Sequence, residues 1–345
     1  MLNLNFNENN LGISPLVREA VIKALDSAHQ YPLPFYDELK QELAAFLGTS
    51  NDEIIYGAGS GAIIDAALLR FKLEHKSPVV LTCAPTFEAA LWIGPAYNLP
   101  YHALALKSDF HFDLDALKQR AKELKAAGHD VLIYLASPNN PTGLVINGLN
   151  AWLLDMQKDF LGELSFIVDE AYFEFSPQQE SALPLIKSMP NLLVTRTFSK
   201  AYAMAGLRVG YAAASKELAS SIQARVDAVG LSTIALKAAL AAMKDEEFLA
   251  LTLSEVAAGK ALIEQCFDDL GVDYLKSSAN FIFHKIPGEN RANAHEYYSD
   301  FMLQKHGLRL SRLFDGNERY SRVSISKLDE AKTFVLAFKD FYKGL

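Results

Sequence analysis

The apolar positions along the chain fall into short continuous runs separated by segments with helical periodicity. Glu53–Tyr56, Val79–Leu81, Val131–Leu135, Ser165–Val168 and Leu192–Val194 read as strands. Runs this short and this uniformly apolar suit strands covered on both faces, as in a mostly parallel sheet between helix layers. A helix is expected from about Ala62 to Phe71, after a glycine-rich turn. The chain ends read differently. Ser14-Pro15 pairs an N-cap with proline at the first helical position and opens a helix to about Ala28. Tyr36–Leu47 is a second helix, with Gly48 at its C′ position. After Gly230 a long helical region runs to about Asp268, and strands are expected at Asn280–His284 and Arg322–Ser326. This pattern predicts a large α/β domain over residues 35–235. A smaller α+β domain is built from both ends, 1–34 and 236–345.

Polar residues just after the strands are the ones to inspect, because open parallel sheets bind ligands outside their carboxyl ends. Four such segments have unusual composition: Gly57-Ala58-Gly59-Ser60-Gly61, Asn139-Asn140-Pro141-Thr142-Gly143, Asp169-Glu170-Ala171-Tyr172 and Thr197-Phe198-Ser199-Lys200. The glycine segment enters a helix and could cradle a phosphate, although a tight turn explains it equally well. Its spacing fits neither the dinucleotide fingerprint nor a P-loop. The Asp-Glu pair ends a buried strand, where it must cap a helix or meet a cation. Without a P-loop, a nucleotide hydrolase is excluded. Lys200 follows an apolar strand and precedes Ala201–Leu207, with no charged neighbour. Poor solvation there would lower its pKa and make its amine nucleophilic. A phosphate cradle, a carboxylate and such a lysine together suggest pyridoxal phosphate chemistry.

Composition narrows the alternatives. The 345 residues carry 33 basic and 41 acidic side chains, a formal charge of −8, which argues against nucleic acid or an anionic membrane as partner. Cys83 and Cys266 match no metal or redox spacing. Met1–Asn10 lacks the basic and apolar regions of a signal peptide. Val131–Leu154 has no Asp, Glu, Lys, Arg or His, yet two prolines and two asparagines at its centre rule out a bilayer span. A cytoplasmic protein without a resident metal is expected.

The runs Val168–Tyr172, Arg196–Lys200 and Ala205–Tyr211 resemble the histidinol-phosphate aminotransferases, a family of fold-type I pyridoxal phosphate enzymes. The resemblance extends to Ser137–Gly143, Tyr31-Pro32, Asn7–Asn9 and Arg322–Ile325, and so to nearly the whole chain. It implies a seven-stranded, mostly parallel sheet sandwiched by helices, and a pyridoxal 5′-phosphate cofactor. By the same resemblance Lys200 carries the cofactor and acts as base, and Asp169 pairs with its pyridine nitrogen. Asn140 and Tyr172 bond the ring oxygen, and Phe87 stacks on the ring. Ser60, Gly61, Ser199 and Arg208 hold the phosphate, together with Tyr31 of a second subunit in a homodimer. Arg322 matches the substrate-carboxylate arginine. Arg312 would take a distal phosphate or a second carboxylate, with Arg309 as its rival, and Gly12 would line the substrate site.

Two departures stand out. The family usually has proline where this chain has Asn10, and glycine where the segment after Arg322 here ends Ser326-Lys327. Both lie on the substrate side. Histidinol phosphate with 2-oxoglutarate is the expected substrate pair. A phosphothreonine or phosphoserine decarboxylase and an aromatic amino-acid aminotransferase are the alternatives.

Overall fold

The computed structural model describes residues 1–87, 94–226, 230–288 and 293–345. Its centre is a seven-stranded sheet built from β2 (Ile54–Gly57), β3 (Pro78–Ala84), β4 (Tyr101–Ala105), β5 (Asp130–Ala136), β6 (Ser165–Asp169), β7 (Leu192–Thr197) and β8 (Gly210–Ala214). The spatial order is β2-β8-β7-β6-β5-β3-β4. Only β8 runs against its neighbours, so β2, β5, β6 and β7 end on one edge. The sheet is mostly parallel, as the apolar runs predict.

Burial on both faces explains those runs. Along β5, Val131, Ile133 and Leu135 join one apolar cluster, while Leu132, Tyr134 and Ala136 join the other. The second cluster is closed by α3 (Ser60–Glu74) through Ile63, Ile64, Leu68 and Phe71. The first is closed in part by α4 (Leu114–Ala126) and α5 (Leu149–Asp159), through Leu117, Leu124, Leu153 and Met156. β4 and β8 escape a sequence reading, since Tyr-His-Ala-Leu-Ala and Gly-Tyr-Ala-Ala-Ala hold no β-branched residue.

The ends of the chain meet. β1 (Leu2–Asn3) pairs in parallel with β10 (Leu308–Arg309), and β9 (Phe281–Lys285) pairs antiparallel with β11 (Tyr320–Ser324). α1 (Pro15–Ala24) starts at Ser14, whose hydroxyl accepts from the Val17 N–H. α2 spans Leu33–Leu47 and ends at left-handed Gly48. The long helical region after Gly230 divides into α7 (Thr233–Ala242) and α8 (Glu246–Leu270), following the short α6 (Lys216–Gln223). The break comes at Asp245, whose carboxylate caps α8 by accepting from Phe248 N–H. α9 (Ala294–His306) and α10 (Leu328–Lys343) complete the described elements, and Phe334 and Phe338 of α10 pack on Phe267 of α8. No helix among the described residues is long and apolar enough to cross a membrane.

Candidate active site

All four segments singled out after strands lie on the edge where β2, β5, β6 and β7 end. Their chemistry is built from the carboxylate at the end of β6 outward. Asp169 is buried and has no Lys, Arg or His within salt-bridge reach among the described residues. Tyr134 donates to Oδ2 at 2.9 Å, Thr195 to Oδ1 at 3.0 Å, and the Ala171 N–H to Oδ1 at 3.2 Å. Burial raises its pKa while these donors oppose the rise. A fully bonded buried carboxylate without a cation is suited to a positively charged ligand nitrogen.

The adjacent Glu170 does something else. It pairs with Arg196 at 2.9 Å, accepts from Ala182 N–H at 2.7 Å and is bonded by Ser181. Arg196 also lies 3.9 Å above the Phe173 ring. The two carboxylates that end β6 therefore divide: Glu170 ties β6 to β7, and Asp169 faces the site.

Lys200 follows β7 and is half-buried. Its Nζ donates to the Phe6 carbonyl at 2.9 Å and lies 5.7 Å from the Tyr172 ring centroid. Burial, then the nearby Arg322 and Arg208, lower its pKa to about 8. The buried Tyr172 hydroxyl accepts from Asn7 Nδ2 at 2.9 Å.

The start of α3 lies opposite. Gly59 has φ +85° and no side chain caps this helix, so its first N–H groups, including Ser60 and Gly61, meet no capping oxygen. Arg208 lies against that terminus. Its Nη1 donates to Ala205 O at 2.9 Å and Ser199 Oγ at 3.4 Å, and its Nη2 to Ala58 O at 3.4 Å. A Cβ on Gly59 would occupy the place of the Arg208 guanidinium. Uncapped helix N–H groups, a hydroxyl and a guanidinium bonded, among the described residues, to one hydroxyl and two carbonyls form a cradle for a phosphate.

On the substrate side Arg322 is buried on β11. It donates to Asn140 Oδ1 and to the Asn5 carbonyl, and its Nε has no partner among the described residues. Burial and the neighbouring Arg312 lower its pKa to about 10. Arg312 and Arg322 both lie over the Phe314 ring, at 5.0 and 5.5 Å from its centroid. Arg309 instead reaches Met1 Sδ at 3.5 Å. The geometry thus brings Arg312, and not Arg309, beside Arg322.

Other expected residues are placed less centrally. Phe87 packs against the α3-side core, and its neighbour Thr86 bonds Asn139 at 2.7 Å, joining the loops after β3 and β5. Gly12 is exposed in a turn, with φ +78° and its N–H on Asn9 O at 3.3 Å. Tyr31 is 80 % exposed, ahead of α2, and bonds none of these groups in its own chain. Sequence reasoning missed Tyr134 and Thr195, which hold Asp169; a lone hydroxyl within each apolar run was the available signal. It also assigned no role to the Asn5 and Phe6 carbonyls, which a sequence cannot display.

The residues present fit pyridoxal 5′-phosphate. Asp169 awaits a cationic nitrogen, the α3 start with Arg208 awaits a phosphate, and the Lys200 amine lies close enough to feel the charge of both Asp169 and Arg208. The family model for aminotransferase class I and II matches residues 1–337. Histidinol-phosphate aminotransferase 2 of Methylococcus capsulatus is 34% identical over 82% of this chain and 76% of its own length. Histidinol-phosphate aminotransferase 1 of Cupriavidus pinatubonensis is 31% identical over 98% of this chain and 88% of its own. Among solved structures, the Sinorhizobium meliloti histidinol-phosphate aminotransferase in complex with pyridoxal-5′-phosphate superposes with a TM-score of 0.86. It is 26% identical and covers 99% of this chain and 91% of that one. The chain belongs to the histidinol-phosphate aminotransferase family of the class I and II aminotransferases, enzymes that work with pyridoxal 5′-phosphate.

Proposed function

We propose that this aminotransferase moves the amino group between histidinol phosphate and 2-oxoglutarate, as a cytoplasmic homodimer. Residues 35–235 would form the large cofactor-binding domain, and 1–34 with 236–345 the small domain built from both chain ends. The observation that carries the reading is the grouping around one half-buried amine. Lys200 has a carboxylate without a cation, a phosphate cradle and two arginines around it.

When bound, the cofactor supplies an electrophilic aldehyde and an electron-withdrawing ring. The chain supplies everything else. Ser60, Gly61, Ser199 and Arg208 fix the phosphate end. Asp169, held by Tyr134 and Thr195, keeps a proton on the pyridine nitrogen at the opposite end. Asn140 and Tyr172 would bind the ring oxygen, and Phe87 would stack on the ring. Lys200 would hold the cofactor through its amine, and its neutral Nζ would move the proton at the substrate carbon. A pKa near 8 makes the amine available for that work near neutral pH. Arg322, with its unused Nε, receives the substrate anion in a planar two-point contact, and Arg312 a second anionic group.

Incubation with histidinol phosphate and 2-oxoglutarate should yield glutamate. Release of carbon dioxide from phosphothreonine or phosphoserine without glutamate would instead support a decarboxylase, and amino transfer from an aromatic amino acid alone would identify that substrate class. Borohydride should trap the cofactor on Lys200, and Lys200→Ala should abolish the trapping. Covalent cofactor in that variant would refute the lysine's role.

A further inference from the structure

The N-terminal segment has asparagine at every second position, Asn3, Asn5, Asn7 and Asn9. In the structure it runs beside the end of β11, and the two align residue for residue. The Asn5 carbonyl accepts from Arg322, Asn7 bonds Ser324, and Asn9 bonds Ser326, at a constant offset along the chain. Side chains two apart in an extended strand share a face, so Arg322, Ser324 and Ser326 all point at this strap.

The strap is held by polar contacts. Leu4 is buried at its start, but Phe6 is 65 % exposed, and the buried Asn7 and Asn9 are its inward-facing side chains. Asn7 N–H donates to Ser324 Oγ at 2.9 Å, and Asn9 Nδ2 donates to Thr252 Oγ1 at 3.1 Å and Ala201 O at 3.2 Å. The last fastening is Asn10. Its N–H donates to Ser326 Oγ at 2.6 Å, and its side chain donates to both Glu330 oxygens, at 2.9 and 3.1 Å. Ser326 Oγ also lies 3.4 Å from Asn9 Oδ1, so one hydroxyl holds two successive strap residues. The two positions at which the chain departs from its family's pattern are thus bonded to each other. Proline at position 10 would have no N–H to donate, and glycine at 326 no hydroxyl to accept it.

Between these fastenings the strap touches the chemistry. Its Asn5 carbonyl meets Arg322, its Phe6 carbonyl meets Lys200, and its Asn7 amide meets Tyr172. We propose that Asn10 and Ser326 are positioning residues: their hydrogen bond latches the strap along β11 and so sets Arg322 for the substrate anion. The latch itself stands on geometry alone; its effect on substrate rests on the reading of Arg322 given above.

Hydrogen exchange on the purified protein tests the latch. Ser326→Ala should speed exchange in a peptide covering the strap about five- to tenfold, the worth of one hydrogen bond, and leave the central strands unchanged. Unchanged strap exchange overturns the latch. Kinetics of the holoenzyme test its purpose. Asn10→Pro and Ser326→Ala should each raise KM for glutamate about fivefold, with kcat and borohydride trapping at Lys200 little altered. The double variant should be no worse than Asn10→Pro alone, because that change already removes the bond to Ser326 along with the Glu330 contacts. Effects that multiply in the double variant, or that fall on kcat or melting temperature alone, overturn the positioning role. Failure of the site reading would show separately, as absent trapping in the unmodified protein.

Discussion

At the scale of single residues, the sequence offers types and the structure adds solvation. Lys200 is singled out by its uncharged surroundings in the chain, yet the groups that set its pKa come from elsewhere. Burial acts first, then Arg322 from β11, with Arg208 adding to them; Glu8 and Asp169 pull the other way. Only the neutral amine attacks an aldehyde, so attachment of added pyridoxal phosphate to cofactor-free protein should quicken with pH and level off above about 8. Arg322→Gln removes a positive charge that favours the neutral amine. The midpoint of that profile should therefore move to higher pH, towards the ordinary lysine value. Stopped-flow absorbance across pH measures it, and a midpoint that stays put or falls would show that Arg322 does not act on Lys200. Asp169 and Lys200 were legible because charge after an apolar strand is conspicuous, whereas Arg208, Arg312 and Arg322 came only with the family resemblance. Tyr134 and Thr195 were not, because a hydroxyl in a strand looks like packing until its partner is known.

At the scale of elements, the strands with branched aliphatic side chains were legible and those without were not. β8 is the instructive case, because its small residues serve the site. Gly210 packs so closely on the start of α3 that a Cβ there would overlap Ser60 N and the Gly59 carbonyl carbon. Those atoms are backbone and cannot swing aside. Gly210→Ala should displace the helix terminus from Arg208 and weaken cofactor binding at least about tenfold, while costing about 1–3 kcal/mol of stability from overpacking. Cofactor titration followed by fluorescence, beside thermal melting, checks both. A variant with reduced melting temperature but unchanged cofactor affinity would show that this contact is packing alone. The same absence of side chains that hides β8 from a periodicity reading is what lets β8 position the phosphate cradle. The break between α7 and α8 was hidden for a different reason: Met243-Lys244-Asp245 carries no glycine or proline, and only the Asp245 cap marks it.

At the scale of the whole molecule, the net charge of −8 surrounds a site whose own cations are few and local: Lys200, Arg208, Arg312 and Arg322. One expected phosphate ligand, Tyr31, is missing from that set within a single chain. It projects from the surface ahead of α2, in a region that also exposes Ile22, Leu25 and Leu33. Exposed apolar side chains close in sequence to an exposed tyrosine suit an interface between copies, with each site completed by its neighbour. Mixing two defective proteins distinguishes this arrangement from a self-contained subunit. Lys200→Ala lacks the amine but keeps Tyr31, and Tyr31→Ala has the reverse defect. If Tyr31 crosses to the partner, a mixed dimer contains one site with both residues intact and one lacking both. Random reassortment of equal amounts should then restore about a quarter of the unmodified activity at limiting cofactor. If Tyr31 serves its own chain, every site in the mixture keeps one defect and no activity returns. Co-expression with two affinity tags, followed by assay of the doubly tagged fraction, reads the outcome directly: half-activity there establishes the shared site, and none excludes it.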